Sequence, residues 1–155
     1  MLAAASGLPV SYVATYCTQG MDDEMRMRIG QHRERRPKEW ITIENRYDLR
    51  DQILESEGRL LLVDCLTLWL SFHQMQERPM DSILSELEEA MRTAIQKERS
   101  LIIVSNEIGT GLVPETPEGR RFRDLCGFAN QLVARYSTTV EYLVAGLPLV
   151  LKGGR

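Results

Sequence analysis

Apolar residues in this chain fall into two kinds of run. Three are short, unbroken and rich in β-branched or large aliphatic residues: Val10–Ala14 (VSYVA), Leu60–Val63 (LLLV) and Leu101–Val104 (LIIV). Each gives way to polar or glycine residues, the pattern of a strand buried on both faces of a parallel sheet. A fourth run, Val140–Val144 (VEYLV), precedes a turn at Gly146-Leu147-Pro148 and a short last strand, Leu149–Leu151.

Between these runs the apolar residues recur at helical spacing. Asp22, Asp23 and Glu24 put acid at a helix start, where the dipole favours it, and Met25 and Ile29 share one face. Leu49, Ile53 and Leu54 predict a short helix after Arg46, and another begins near Leu66. From Met80 to Lys97, the residues Ile83, Leu84, Leu87, Met91, Ala94 and Ile95 line one side, with charged residues largely on the other. Phe122, Leu125, Phe128, Leu132 and Val133 mark a further amphipathic helix. Strands alternating with helices in this way predict an α/β fold with a mainly parallel sheet. No repeat or linker interrupts the 155 residues, so a single domain, 1–155, is expected.

Composition narrows the classes. With 43% hydrophobic and 26% charged residues the chain is globular, and its net charge of −3 supplies no general attraction to nucleic acid or membrane. Cys17, Cys65 and Cys126 form no CxxC pair, which argues against zinc and a disulfide framework and fits a reducing cytoplasm. No apolar run reaches the roughly 18 residues of a membrane span, and MLAAASGLPV lacks the basic flank of a secretory signal. A soluble, cytoplasmic protein is expected.

In parallel α/β sheets, ligands bind beyond the carboxyl ends of the strands. After the first strand come Thr15, Tyr16 and Cys17, then a turn at Gly20. The Thr15 hydroxyl could bond a phosphate or Mg²⁺, or simply finish a strand. Asp64 closes the second strand, in VDCLTLW. A carboxylate there holds Mg²⁺ beside nucleotide phosphates in Walker B arrangements, but the same residue type caps helices. After the third strand, Asn106 and Glu107 lead into Gly109-Thr110-Gly111, whose backbone a ligand could approach closely. Arg120, Arg121 and Arg123 open the next helix, where the dipole disfavours cations; phosphate contact would explain them, as would a solvated face.

The chain has 2 histidines. His32 lies in QHRERRP, at the end of the first of these helices. There the dipole alone would stabilise it. Alternatively, a neutral imidazole acts as nucleophile toward phosphates bound by the neighbouring arginines, whose charge helps keep it neutral. Local sequence leaves both open. His73 follows the apolar LWLSF run and reads as structural.

Taken together, YVAT, DDEMRMRIGQHRERRPKEW, LLLVDCLTLWLS, IIVSNEIGTGLVPETPEGRRFRDLCGFANQLVA and VAGLPLVLK resemble the adenosylcobinamide kinase/adenosylcobinamide-phosphate guanylyltransferase family of cobalamin biosynthesis, nearly end to end. The resemblance implies a RecA-like P-loop NTPase fold, a three-layer sandwich, with ATP and GTP as substrates, Mg²⁺, and a homotrimer. It implies phosphorylation of adenosylcobinamide, then transfer of GMP from GTP to adenosylcobinamide phosphate through a guanylyl-histidine. His32 matches that histidine. Arg33 and Arg36 would stabilise phosphate charge, Glu44 would contact guanine or ribose, Asp64 would serve Mg²⁺, and Thr15, Asn106 and Glu107 would line the nucleotide cleft. Neither nucleic acid nor a membrane is an expected partner.

One element of the pattern is missing. A P-loop requires G-x-x-x-x-G-K-[ST], and no such run occurs in the chain. By resemblance the sequence is expected to begin inside the first helix, without roughly 20 residues that would carry the first strand and the phosphate loop. Loss of a central strand would leave two neighbours with unpaired ladder groups. The alternative reading is an inactive truncated member that binds nucleotide or partner subunits without turnover. A phosphohistidine carrier, which QHRERRP alone would permit, fits NEIGTGLVP and VDCLTLW poorly.

Overall fold

The computed structural model describes residues 2–17 and 22–153, so the expected turn at Gly20 lies outside the described residues. The chain divides into two compact units, Met1–Asn106 and Glu107–Arg155.

In the first unit the order is α1 (Leu2–Ala5), β1 (Val10–Ala14), α2 (Asp23–Glu34), β2 (Ile41–Glu44), α3 (Leu49–Glu55), β3 (Leu60–Asp64), α4 (Leu66–Met75), α5 (Met80–Gln96) and β4 (Ser100–Val104). The four strands form one sheet in the order β2-β1-β3-β4, parallel throughout. β1 lies between β2 and β3 because it is apolar on both faces: all five of its residues are buried. Val10, Tyr12 and Ala14 point to the side where Ala3, Leu60 and Leu62 close a cluster, with Leu8, Trp40 and Ile102 packed against it. Ser11, Val13, Leu61 and Val63 on the other side are buried as well, so β1 and β3 are covered on both faces, while no residue of the edge strands β2 and β4 is fully buried. The strands of this sheet pair consecutively, with β2 and β4 at its edges.

Two readings of the pattern are corrected here. ITIE, not recognised as a strand, is β2. Its four residues alternate apolar and polar at a sheet edge and none is fully buried, so it lacks the continuous apolar run of its neighbours. Met25 and Ile29 do not make an apolar face, because no residue of α2 is buried. That helix rests on local devices: the Asp22 carboxylate accepts from the Met25 N–H at 2.8 Å, acids fill the first turn, and Arg28 pairs with Glu24. α5 follows its pattern better, burying Ile83, Leu87, Ala90, Met91 and Ala94, but Ile95 stands exposed. At about 100° per residue, Ile95 falls a quarter-turn off the centre of that stripe.

His73 is buried in α4, as a structural histidine should be. Arg78 Nη1 lies 2.7 Å from its Nδ1, and Trp69 meets the ring edge-on at 4.3 Å. Burial, aided by Arg78 and opposed by Glu86, holds its pKa below the ordinary 6.5. Above that value both folded and unfolded chains carry a neutral ring, and the full stability is present. As the pH falls below about 6.5 the unfolded state takes up the proton first, so stability drains away toward the lower folded pKa. Melting temperature followed downward from pH 7 should therefore fall more steeply in the parent than in His73→Gln. Equal slopes would remove His73 as the cause.

The second unit contains α6 (Pro117–Tyr136), β5 (Val140–Val144) and β6 (Leu147–Lys152). Thr116 caps α6 by accepting from the Gly119 N–H at 3.1 Å, and Pro117 opens it. Leu125, Cys126, Ala129 and Leu132 form its buried stripe; Phe128, expected on that face, is half exposed because it lies to one side of it. The fourth run does not join the parallel sheet. β5 pairs antiparallel with β6 in a sheet of their own, across a two-residue turn in which Ala145 and Gly146 both have positive φ. That turn needs left-handed backbone at both central positions, which Gly146 provides without cost. The last strand accordingly begins at Leu147, earlier than expected, and carries Pro148 within it.

Candidate active site

Parallel register brings three strand ends together. Ala14 stands opposite Glu44 of β2 and opposite Asp64 of β3, so both carboxylates lie at the carboxyl end of the sheet. His32 and Arg33 are in the last turn of α2. The chain then passes Arg36 and makes a turn in which the Trp40 N–H donates to the Pro37 carbonyl at 3.1 Å, before entering β2. This short return path explains the RERRPKEW stretch. It ends the helix, drops an arginine onto the sheet and carries the chain back to it.

Two side chains meet Asp64, and two more pack on one of them. The Tyr12 hydroxyl donates to Asp64 Oδ2. His32 Nδ1 lies 4.0 Å from that same oxygen, with most of the imidazole exposed. The Arg36 guanidinium lies over the Tyr12 ring, 3.7 Å from its centroid, and Trp40 stacks at 6.3 Å. Burial, and after it the bond to Asp64, push the Tyr12 pKa well above its ordinary value despite Arg36, so the phenol keeps its proton and remains a donor.

A second cluster is built on Glu44. Arg33 Nη2 pairs with Glu44 Oε2 at 2.5 Å, and Arg36 Nη1 lies 3.9 Å from Oε1. Arg36 Nε and Nη1 and Glu44 Oε1 are buried without hydrogen-bond partners, and buried polar atoms ordinarily have them. These atoms are unspent capacity of the kind a bound polar ligand satisfies. Arg33 and Arg36 are thus engaged with Glu44 rather than standing free, and a phosphate would have to draw them away from it or share them. The Tyr16 pKa is raised by burial and then by Glu44.

The remaining expected residues are more dispersed. Thr15 is fully buried, and its hydroxyl donates to the Cys65 carbonyl at 2.6 Å, tying β1 to the turn after β3. The Cys65 thiol beside it is pushed up in pKa, chiefly by burial. Asn106 closes the first unit just beyond β4, its N–H donating to Thr67 Oγ1 at 3.0 Å. Glu107 belongs to the second unit, where Oε1 accepts from the Gly109 N–H at 2.8 Å and Oε2 from Asn130 Nδ2 at 3.4 Å. Arg120 donates to the Pro114 and Glu115 carbonyls, and Arg123 to the Gly109 carbonyl. The arginines that looked free for phosphate therefore strap the glycine loop to its helix, while Arg121 pairs with Glu118 at 3.0 Å.

Sequence reasoning missed Tyr12 and Trp40. The signal for Tyr12 was a phenol inside an otherwise aliphatic parallel strand, since a buried hydroxyl needs a partner. Its partner is 52 residues away, at the matching end of β3.

The family model described as cobinamide kinase / cobinamide phosphate guanyltransferase matches residues 1–151. The chain is 44% identical over 155 residues to a bifunctional adenosylcobalamin biosynthesis protein of Pseudomonas aeruginosa, covering 98% of this chain and 87% of that one. It is 30% identical to the protein of the same description in Escherichia coli, covering 92% of this chain and 86% of that one. The Salmonella typhimurium protein of that description is likewise 30% identical over 161 residues, with the same shares covered.

Proposed function

Because the chain belongs to the cobinamide kinase / cobinamide phosphate guanyltransferase family, we propose that it carries out both reactions, with His32 as the covalent carrier of GMP. The enzyme phosphorylates the aminopropanol hydroxyl of adenosylcobinamide with ATP or GTP. It then transfers GMP from GTP to adenosylcobinamide phosphate, giving adenosylcobinamide-GDP. What carries this reading is the placement of His32: an exposed imidazole at the carboxyl end of a parallel sheet, 4.0 Å from Asp64 and next to Arg33 in the same helical turn.

Each neighbouring group has a part. Arg33 and Arg36 neutralise charge on the triphosphate, exchanging Glu44 for phosphate oxygens as GTP arrives. Glu44, released, accepts from the guanine or ribose. Asn106, just beyond β4, contributes to the wall of the nucleotide cleft, and Thr15 holds the turn after Asp64. A metal held by protein groups alone does not fit, because no three His, Cys, Asp or Glu side chains converge among the described residues. Mg²⁺ that arrives on nucleotide phosphates and asks one or two carboxylates of the protein does fit Asp64. When bound it supplies charge neutralisation at the phosphates. No helix of the described residues is long and apolar enough to cross a membrane, and the substrates fit a water-facing enzyme, assembled as a trimer.

The 155 residues contain no G-x-x-x-x-G-K-[ST] run. That favours, as a second reading for these residues, a protein that binds nucleotide without turning it over. The two separate in one experiment. Incubated with α-labelled GTP, the protein should acquire acid-labile covalent label, which adenosylcobinamide phosphate then removes as product. Nucleotide retained at equilibrium without covalent label supports the second reading, and covalent label obtained only in a parallel incubation with γ-labelled GTP sinks both.

A further inference from the structure

One oxygen of Asp64 serves two side chains. Oδ2 accepts from the Tyr12 hydroxyl, and it is also the atom that His32 Nδ1 approaches to 4.0 Å. In a neutral imidazole, the group facing one nitrogen decides which nitrogen carries the proton. An ionised carboxylate can only accept, so facing Nδ1 it selects the Nδ1–H tautomer and leaves Nε2 with its lone pair. We propose that Tyr12 and Asp64 are positioning residues for His32: Tyr12 locks the Asp64 carboxylate, which holds His32 as the Nδ1–H tautomer with Nε2 bare for attack. Its catalytic consequence rests on His32 being the guanylyl acceptor.

Tyr12 is suited to such a lock. Its ring is buried, with the Arg36 guanidinium over it and Trp40 stacked near it, which limits the positions open to the hydroxyl. A phenylalanine would fill the same space and leave Asp64 free to turn. The 4.0 Å separation exceeds a hydrogen bond. The imidazole is exposed, and rotation about its side-chain torsions closes the remaining distance in the nucleotide-free protein.

The chemistry balances without a proton transfer. The Nε2 lone pair forms a bond to the α-phosphorus of GTP as the bond from that phosphorus to the bridging oxygen breaks, and pyrophosphate leaves with the electron pair. The ring becomes positively charged with its Nδ1–H toward Asp64, the arrangement that stabilises imidazolium in Ser-His-Asp sites. In the second half an oxygen of the corrinoid phosphate bonds to phosphorus and Nε2 recovers its pair.

The tautomer can be read without turnover, by long-range proton–nitrogen correlation on nucleotide-free protein with ¹⁵N-labelled histidine. The pH is chosen so that both rings are neutral, and His32→Ala assigns the signals. His32 should be mainly Nδ1–H, against the Nε2–H preference of ordinary imidazole. Tyr12→Phe should shift His32 toward Nε2–H, leave His73 unchanged, and slow guanylylation by about tenfold. In the parent, the label should sit on Nε2. A parent His32 that is mainly Nε2–H, an unmoved tautomer in Tyr12→Phe, or label on Nδ1 overturns the positioning role even where His32 is the acceptor. The Nδ1–H tautomer in a protein that takes no label keeps the positioning role and removes the acceptor reading. Should Tyr12→Phe not fold, Asp64→Ala is read in the same way, and an unchanged Nδ1–H population there overturns the proposal.

Discussion

His32→Ala should lose the acid-labile guanylyl label altogether and slow GMP transfer by on the order of 10³-fold or more, the usual consequence of deleting a covalent nucleophile. The kinase step should survive, because its phosphoryl acceptor is a hydroxyl of the substrate and catalysis there is positioning and charge stabilisation. Stability should barely move. The imidazole is mostly exposed, no residue of α2 is buried, and exposed substitutions usually fall within about 0.5 kcal/mol. The two activities and the melting temperature should be measured on the same preparation. A parallel loss of both activities would make His32 a general binding residue. Label persisting in the alanine variant would place the nucleophile elsewhere.

Much of this arrangement was legible because strand and site signals coincide. VSYVA and LLLV are near-continuous apolar runs and form strands buried on both faces, whereas LIIV forms β4, an edge strand in which no residue is fully buried and Val104 is exposed. Since β1 and β3 pair in parallel register, the residues that end them are neighbours. Asp64 could therefore be placed at the mouth of the sheet from its position in the run alone. His32 was different. Its local surroundings suit a dipole-stabilised helix end as well as a nucleophile, and its approach to Asp64 spans 32 positions of chain that no periodicity encodes.

What was not legible has physical reasons too. β2 is a four-residue edge strand whose alternation is too short to stand out, yet it brings Glu44 beside the end of β1. The arginines opening α6 invited a phosphate reading because cations are out of place at a helix N-terminus. Arg120 and Arg123 instead satisfy carbonyls of the preceding loop, and backbone acceptors leave no trace in residue identity. Lys152 is a similar case. Its ammonium donates to the Ala134 and Arg135 carbonyls and so caps the other end of that helix, where a cation is favoured.

The register that creates the site should depend on Gly58, and Gly58→Ala is expected to be the most costly small change in the first unit. A Cβ built there would lie 2.6 Å from the Ser11 backbone nitrogen and 3.0 Å from the Val10 carbonyl carbon. Backbone in a central strand cannot step aside as a side-chain tip can. The same few atoms also carry the joint between β1 and the start of β3. The Gly58 N–H donates to Ser11 Oγ at 3.2 Å, and Arg99 donates to the Gly58 and Ser56 carbonyls at 3.0 and 3.1 Å. Overpacking costs about 1–3 kcal/mol, and each buried bond broken with its partner left unsatisfied adds a similar amount, so a loss of about 3–5 kcal/mol is expected. At about 2–4 °C per kcal/mol for a chain of this size, the melting temperature should drop by roughly 6–20 °C. Gly127→Ala supplies the contrast: it lies within α6, a Cβ there meets nothing within 4 Å, and removing a helical glycine should gain about 0.5–1 kcal/mol. If Gly58→Ala melts with the parent, the close approach of Gly58 to Ser11 does not hold β1 against β3. The alignment of Tyr12 with Asp64 must then come from the ladder bonds of the two strands alone.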